Sequence, residues 1–483
     1  MSRKQLVALV LLSFGALLIH GYHPFAEDAE IYLPGVEKML DPGLFPAGEN
    51  FFQSHASLTL FPDLIAASVR LSHLSLEWAL LLWQWLSIFL LLLACWQLSS
   101  KCFAEATARW CGVALLAALL TLPVAGTSLY IFDQYVVPRN LCAFATVFAV
   151  ALVPDRKYWQ AALWLIFAGL VHPLMWFFAF VYCLLLVGME KLSPASAFCV
   201  LLPLGISFRL PAPAYEEAVK LHPYFYIQSW AWYEWLGILG PIAILWWSAR
   251  VARRRQLRNV ERLCRTLIPY QLVFLAAALV LSSPVFGNLA RLQPLRSLHL
   301  LYILMILIGG GFLGTFVLKN HLWRWILLFA PLCGGMFLAQ RSLFSNSAHV
   351  ECPGSASSNP WVQAFVWARQ NTPRDATFAL DPMHILIHGE DANGFRAIAQ
   401  RNMLADAIKD SGAVSMFPPL ADEWLKQFRA QTNWKHFQVQ DFERLRSDYG
   451  VTWVILQAPG VTGLECPYRN SAVLVCKIAP GRP

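Results

Sequence analysis

The chain has 483 residues, of which 57% are hydrophobic and only 14% charged, with a mean hydropathy of +0.50. A soluble globular protein carries about a quarter charged residues, so the composition excludes a wholly water-soluble chain and points to lipid as solvent. The net charge of +8 is not a nucleic-acid signature, because the basic residues lie mainly in short connections between apolar runs, and no nucleic-acid partner is expected.

Met1-Ser2-Arg3-Lys4 precedes an apolar stretch that ends at Ile19. The following His20-Gly21-Tyr22-His23-Pro24 offers no small-x-small cleavage pattern, so the stretch reads as a retained first helix and not a signal peptide. Apolar runs of about 20 residues suffice to cross a hydrocarbon core of about 30 Å. On that basis the predicted spans are 5–20, 77–98, 110–130, 138–153, 158–171, 173–189, 193–209, 233–249, 266–284, 298–318 and 322–340, eleven in all. Many of the 20 tryptophans sit near the ends of these runs, as in aromatic belts. With the N-terminus cytoplasmic, connections assigned inside hold 16 Lys/Arg and those assigned outside, before the tail, hold 7. This bias predicts a cytoplasmic N-terminus and an extracytoplasmic tail.

The expected organisation is a polytopic α-helical membrane module over 1–340, a linker over 341–360, and a small extracytoplasmic α/β domain over 361–483. Within the first module, the outer loop 21–76 is too long to be a mere connector. It is acidic, with Lys38 and Arg70 as its only lysine and arginine, and Phe61 to Leu74 reads as an amphipathic helix lying on the membrane. A second long outer segment, 210–232, holds Glu216, Glu217, His222 and a dense aromatic run. In the tail, strands are predicted at Thr377 to Leu380, Val451 to Leu456 and Ala472 to Ile478. Helices are predicted at Trp361 to Gln370, Leu420 to Ala430 and Gln440 to Tyr449.

Most cysteines fall inside predicted spans, where they act as small apolar residues. Cys466 and Cys476 flank a turn in the tail and can pair if the tail faces an oxidising compartment; the sequence leaves this open. Gly309-Gly310-Gly311 lies inside a span and reads as close helix packing, not as a phosphate loop. Asp381, His384 and Asp391 are near one another in the tail, but without a second cluster they do not make a metal site. The sequence demands no cofactor, although a divalent metal is compatible with it.

The most informative stretch opens the first outer loop: Tyr22-His23-Pro24-Phe25-Ala26-Glu27-Asp28-Ala29-Glu30-Ile31-Tyr32. Three carboxylates lie within four residues, just after the first span. From composition alone, a solvated acidic loop that complements a helix dipole is the stronger reading.

A single N-terminal span, a long first outer loop with an acidic pair and a nearby tyrosine, many further spans and an outer C-terminal domain together resemble the GT-C superfamily. These are membrane glycosyltransferases that use polyprenyl-phosphate sugars, such as protein O-mannosyltransferases and aminoarabinose transferases; the likeness is strongest to uncharacterised bacterial members. Their Asp-Glu pair followed by Tyr is matched by Asp28 with Tyr32. Ala29 replaces the second acid, and Glu27 precedes the first. Of their later His-Pro-Pro element, only His55 in Gln53-Ser54-His55-Ala56-Ser57 looks similar. The resemblance implies an integral membrane enzyme of the bacterial inner membrane, with a lipid-linked sugar as donor and a glycan, lipid or protein as acceptor.

Such a transfer needs a base for the acceptor proton, for which Asp28 is the candidate and Glu27 the substitute. It also needs cations where the phosphate leaves, a role that suits the fixed donor fork of arginine. The resemblance favours Arg139, at the head of a span, and Arg291 and Arg296, just before another; snorkelling to the interface is the competing reading. Tyr32 and His55 are expected to contact substrate. His172, where two short spans meet, can line the cavity, although a packing role is the stronger reading. A transporter or flippase is the alternative of another class, disfavoured by spans with almost no mid-depth charge and by halves that do not match. A non-catalytic assembly protein that presents the tail is a third reading.

Overall fold

The computed structural model describes residues 1–47, 49–188 and 211–479. The expected span at 193–209 lies outside these residues. The chain forms two compact units, one comprising Met1–Gly21, Leu82–Leu210 and Pro223–Ala339, the other Tyr22–Leu81, Pro211–His222 and Gln340–Pro483.

Among the described residues, six helices are long and apolar enough to cross a membrane: Arg3–His20, Leu76–Cys102, Trp232–Arg254, Arg258–Leu281, Pro294–Leu318 and Leu322–Leu343. The eleven expected spans are therefore too many by this measure. Ala106–Ala118, Tyr158–Val171 and Pro173–Gly188 are apolar but shorter, and Pro138–Leu152 has 15 residues. The predicted span 110–130 fails for a clear reason. Its helix stops at Ala118, and the chain then folds into a tight hairpin in which Pro123 bridges Tyr130. Pro123 cannot donate a backbone hydrogen bond. The hairpin satisfies its own polar groups through Val124 N–H to Leu129 O (2.8 Å), Ile131 N–H to Leu122 O (3.2 Å) and Phe132 N–H to Leu120 O (2.7 Å). A hydropathy window sees apolar composition and not this pairing. Irregular backbone at membrane depth is tolerated only when enclosed by protein, and most of 119–137 is buried.

The helices of the first unit pack by close backbone approach. A Cβ built on Gly310 would lie 2.7 Å from Gly112 Cα and 2.9 Å from Cys111 O, so Ala106–Ala118 and Leu298–Leu313 meet through glycine, as expected for the Gly309-Gly310-Gly311 run. Residues 138–151 of Pro138–Leu152 are buried throughout.

The second unit is built on a five-stranded mixed sheet. Its strands are β1 (Thr377–Ala379), β2 (Asn402–Met403), β3 (Trp453–Gln457), β4 (Glu465–Arg469) and β5 (Val473–Lys477), in the order β2-β1-β3-β5-β4. β1 runs parallel to β2 and β3, while β5 runs antiparallel to β3 and β4. Successive side chains of a strand face opposite sides. Accordingly Trp453 and Ile455 join one core with Phe365, Phe378 and Phe395, whereas Val454 and Leu456 join another with Phe442 and Leu445. The predicted strands and the helices Pro360–Asn371, Ala421–Ala430 and Val439–Tyr449 stand close to where the sequence put them. Cys466 and Cys476 form a disulfide between β4 and β5.

Residues 21–76, read from the sequence as an outer loop, are largely helical: Ala29–Leu40, Asn50–Leu58 and Phe61–Ser72. The last matches the predicted amphipathic helix, burying Phe61, Ile65 and Ala66. The stretch 341–360 is more than a linker. Buried Asn359 caps Pro360–Asn371 through Trp361 N–H and donates to Ser347 Oγ, Gly389 O, Glu390 O and Asp391 Oδ2 at 3.2–3.3 Å.

Candidate functional site

The segment 22–28 is stitched into the second unit by its backbone. Tyr22 N–H donates to His349 O (2.9 Å), Glu351 N–H to Tyr22 O (3.0 Å), Glu27 N–H to Ala392 O (2.6 Å), and Gly394 N–H to Phe25 O (2.8 Å). His23 stacks on Phe344 and bonds Glu351 through Nδ1 at 2.8 Å. Asp28 ends this segment and begins the helix Ala29–Leu40, its carbonyl accepting from Ile31 and Tyr32 N–H.

The carboxylates of Asp28 and Glu27 share one cation. Lys409, the first residue of Lys409–Met416, places Nζ 3.0 Å from Asp28 Oδ1 and 2.5 Å from Glu27 Oε2. Its side chain is 8% exposed, against 25% for Asp28 and 44% for Glu27. Burial works against the ammonium, but the two carboxylates more than offset it and hold Lys409 well above the usual lysine range.

Glu30, the third acid of the sequence cluster, does something else. It is fully buried, accepts from the backbone N–H of Arg396 (3.1 Å) and Ala397 (3.2 Å), and meets Arg396 Nη1 at 3.3 Å. Arg396 in turn grips Asp410 with both terminal nitrogens, at 3.0 and 2.7 Å. Gly394 is required for this approach, since a Cβ there would lie 2.5 Å from Glu30 Oε2. Burial raises Glu30 to about 8 against the pull of Arg396, and raises Asp410 to about 6 against the same guanidinium. Beneath Lys409, Asp406 Oδ1 accepts from the N–H groups of Ile408 (2.7 Å), Lys409 (2.6 Å) and Asp410 (3.2 Å).

Tyr32 and His55 come together one turn further along. Their rings meet edge-on at 5.7 Å, Tyr32 also touches Phe61 at 5.8 Å, and His55 touches Phe417 at 5.3 Å. Burial lowers His55 to about 4, a shift the nearby charge of Asp28 only partly opposes, so the ring is neutral at neutral pH. Glu27, Asp28, Tyr32 and His55 thus occupy one neighbourhood of the second unit.

The remaining sequence candidates belong to the first unit. Arg139, near the start of Pro138–Leu152, is buried and pairs with Asp133 through Nε (3.2 Å) and Nη2 (3.1 Å). Asn140 locks that turn, donating to Asp133 O (3.2 Å) and Tyr135 O (2.9 Å) and accepting from Asp133 N–H. Arg296, half-buried, lies in the turn Pro294–Ser297 that leads into Leu298–Leu313. The charges of Arg139 and Arg296 both reach the ring of His299, whose Nε2 bonds Ile131 O at 2.9 Å. Arg291, also half-buried, closes the turn Pro284–Leu292. His172 Nδ1 accepts from Met175 N–H at 3.4 Å, a capping contact between two helices.

Sequence reading missed Lys409, Arg396 and Asp133. Lys409 is 381 residues from Asp28 and has no local signature beyond the charged run Asp406-Ala407-Ile408-Lys409-Asp410. Asp133 lies only six residues before Arg139 and was open to a local reading. No group of three or more His, Cys, Asp or Glu among the described residues is arranged to hold a metal. The tail trio dissolves into structural roles: Asp391 accepts from Asn346 and Ser347 N–H, and His384 Nδ1 lies 3.2 Å from Asp381 O.

These features define a polytopic helical membrane protein with a compact unit that contains a mixed β-sheet. No protein-family model matches the sequence, and no curated protein matches it. Among solved structures the chain is similar to the arabinofuranosyltransferase AftD from mycobacteria, determined by single-particle cryo-EM. The TM-score is 0.48 and the identity 13%, over 99% of this chain and 40% of that one. This chain spans about two fifths of the length of AftD. A likeness at this level bears on neither substrate nor activity.

Proposed function

We propose that this chain is an integral membrane glycosyltransferase that moves a sugar from a polyprenyl-phosphate donor to an acceptor hydroxyl on the outer face of the membrane. The supporting observation is the neighbourhood at the start of the first loop. Asp28 keeps a quarter of its side chain exposed while a buried lysine bonds its Oδ1, and Glu27, Tyr32 and His55 lie in the same neighbourhood.

In the proposed reaction the acceptor oxygen attacks the anomeric carbon as the bond to the phosphate oxygen breaks. Asp28 takes the acceptor proton, with Glu27 as substitute, and the lipid phosphate leaves as an anion. A single displacement inverts the anomeric carbon. Outer arginines stabilise the departing phosphate. Arg139, Arg291 and Arg296 are the candidates for this role, and Arg139 also bonds Asp133 through two hydrogen bonds. Neutral His55 and Tyr32 offer the hydrogen bonds and ring faces that a sugar takes. No step requires a metal.

The proposed location is the bacterial inner membrane, with the N-terminus cytoplasmic and the tail outside. The Lys/Arg distribution supports this orientation, and so does a tail disulfide, which persists in oxidising compartments. The test is Asp28→Asn in membranes supplied with a panel of polyprenyl-phosphate sugars. Transfer falls about 10²–10⁴-fold, the usual contribution of a general base, while insertion and melting temperature are kept. Undiminished transfer removes Asp28 from the mechanism.

A further inference from the structure

We infer that Lys409 is a positioning residue for the proposed base: it holds the Asp28 carboxylate ionised and fixes its direction, while making no proton transfer of its own. This rests on the reading of Asp28 as base. The geometry is specific. One ammonium, almost wholly buried, bonds Asp28 Oδ1 at 3.0 Å and Glu27 Oε2 at 2.5 Å. Two carboxylates on adjacent residues repel one another, and a cation between them offsets that repulsion.

Both ends of the contact are anchored to the same framework. Lys409 begins its helix on the side chain of Asp406, and its neighbour Asp410 is gripped by Arg396. Arg396 also binds Glu30, two residues after Asp28. The lysine backbone and the aspartate backbone are thereby tied through one buried chain of charges. This is the arrangement expected of a support that orients a reacting group.

Among the described residues, the charged and titratable groups near Asp28 include Glu27, Glu30 and Tyr32 from its own turn and helix, His55 from Asn50–Leu58, Glu390, Arg396 from Phe395–Ala399, Asp406, and Lys409 and Asp410 at the start of Lys409–Met416. Asp63 and Arg70 on Phe61–Ser72 are exposed. Glu30 and Asp410 both pair with Arg396 and His55 is neutral, whereas Lys409 is the cation that bonds both Glu27 and Asp28.

The experiment uses the full chain in detergent micelles. A water-soluble carbodiimide modifies protonated carboxyls, and mass spectrometry follows the peptide that carries Asp28 as pH is varied. In Lys409→Met the midpoint of Asp28 labelling moves up by about one pH unit, about a tenfold gain in labelling at a fixed pH above the midpoint. The acid limb of sugar transfer moves with it, and kcat falls more than KM rises. Lys409→Arg restores both. If the methionine variant does not insert, Lys409→Gln takes its place. Unchanged labelling in a folded variant overturns the inference, whatever Asp28→Asn does. If Asp28→Asn retains transfer while labelling still shifts, the assignment of the base falls and the pairing with Lys409 stands.

Discussion

Replacing Arg396 with methionine tests whether the buried charge network holds the second unit together. The guanidinium makes three hydrogen bonds to carboxylates, at 3.3 Å to Glu30 and at 3.0 and 2.7 Å to Asp410, and all three residues are buried. Methionine fills similar volume but leaves two carboxyl groups in a low-dielectric interior without their cation. Breaking one side of a buried ion pair costs about 3–5 kcal/mol. Glu30 keeps its two backbone donors, which limits the loss there, so the lower half of that range is expected. For a unit of about 200 residues, each kcal/mol lowers the melting temperature by about 2–4 °C, giving a fall of roughly 6–16 °C. Differential scanning fluorimetry of the detergent-solubilised chain measures it, with limited proteolysis reporting which unit opens. The added changes Asp410→Asn, which removes the stranded charge, and Glu30→Gln, which keeps the already protonated Glu30 neutral, recover much of the loss. A fall below about 2 °C, or no recovery in the triple variant, refutes the reasoning.

Two further outcomes follow from other buried polar groups. Burial lowers His384 to about 4 from an ordinary 6.5, so the folded state binds fewer protons than the unfolded chain. Its stabilisation is present above about pH 6.5 and is lost as pH falls towards 4, amounting to about 2.5 kcal/mol at pH 4.5. His384→Asn therefore flattens the acid side of the melting-temperature profile, and an unchanged profile rejects the assignment. Asp133→Ala removes the carboxylate paired with the buried guanidinium of Arg139 and costs about 3–5 kcal/mol, read as faster thermal inactivation in detergent. Restoration by Arg139→Met in the double variant separates charge burial from loss of packing.

The parts of the fold legible in the sequence were those whose signal is local. Short apolar runs in Val451 to Leu456 and Ala472 to Ile478 marked two central strands because each faces an apolar layer on both sides. The two residues of β2 carry no such pattern, and β4, with its irregular pairing, alternates only between exposed and half-buried positions. Hydropathy found the long apolar helices but ran straight through Pro123, where a proline and a hairpin end the helix inside an apolar run. At the candidate site the acidic cluster was visible, but its division was not. Glu27 and Asp28 face an ammonium and Glu30 a guanidinium, both supplied from residues near 400. Long-range pairing of this kind leaves no periodicity to read. Tyr32 and His55 were chosen by resemblance, and their ring contact depends on a helical turn that the acidic composition had disguised as loop.

The second unit is assembled from three separated stretches of chain, the earliest ending at Leu81 and the last starting at Gln340. During translation the early stretch emerges with Glu30 and Glu37, whose burial depends on partners such as Arg396 and Gln400 that do not yet exist. At about 5–20 residues per second, that wait is on the order of twenty to seventy seconds. A ribosome stalled before the tail therefore leaves a half-made unit with an acidic segment that protease can reach, and the same segment becomes resistant only once the C-terminal portion has been synthesised.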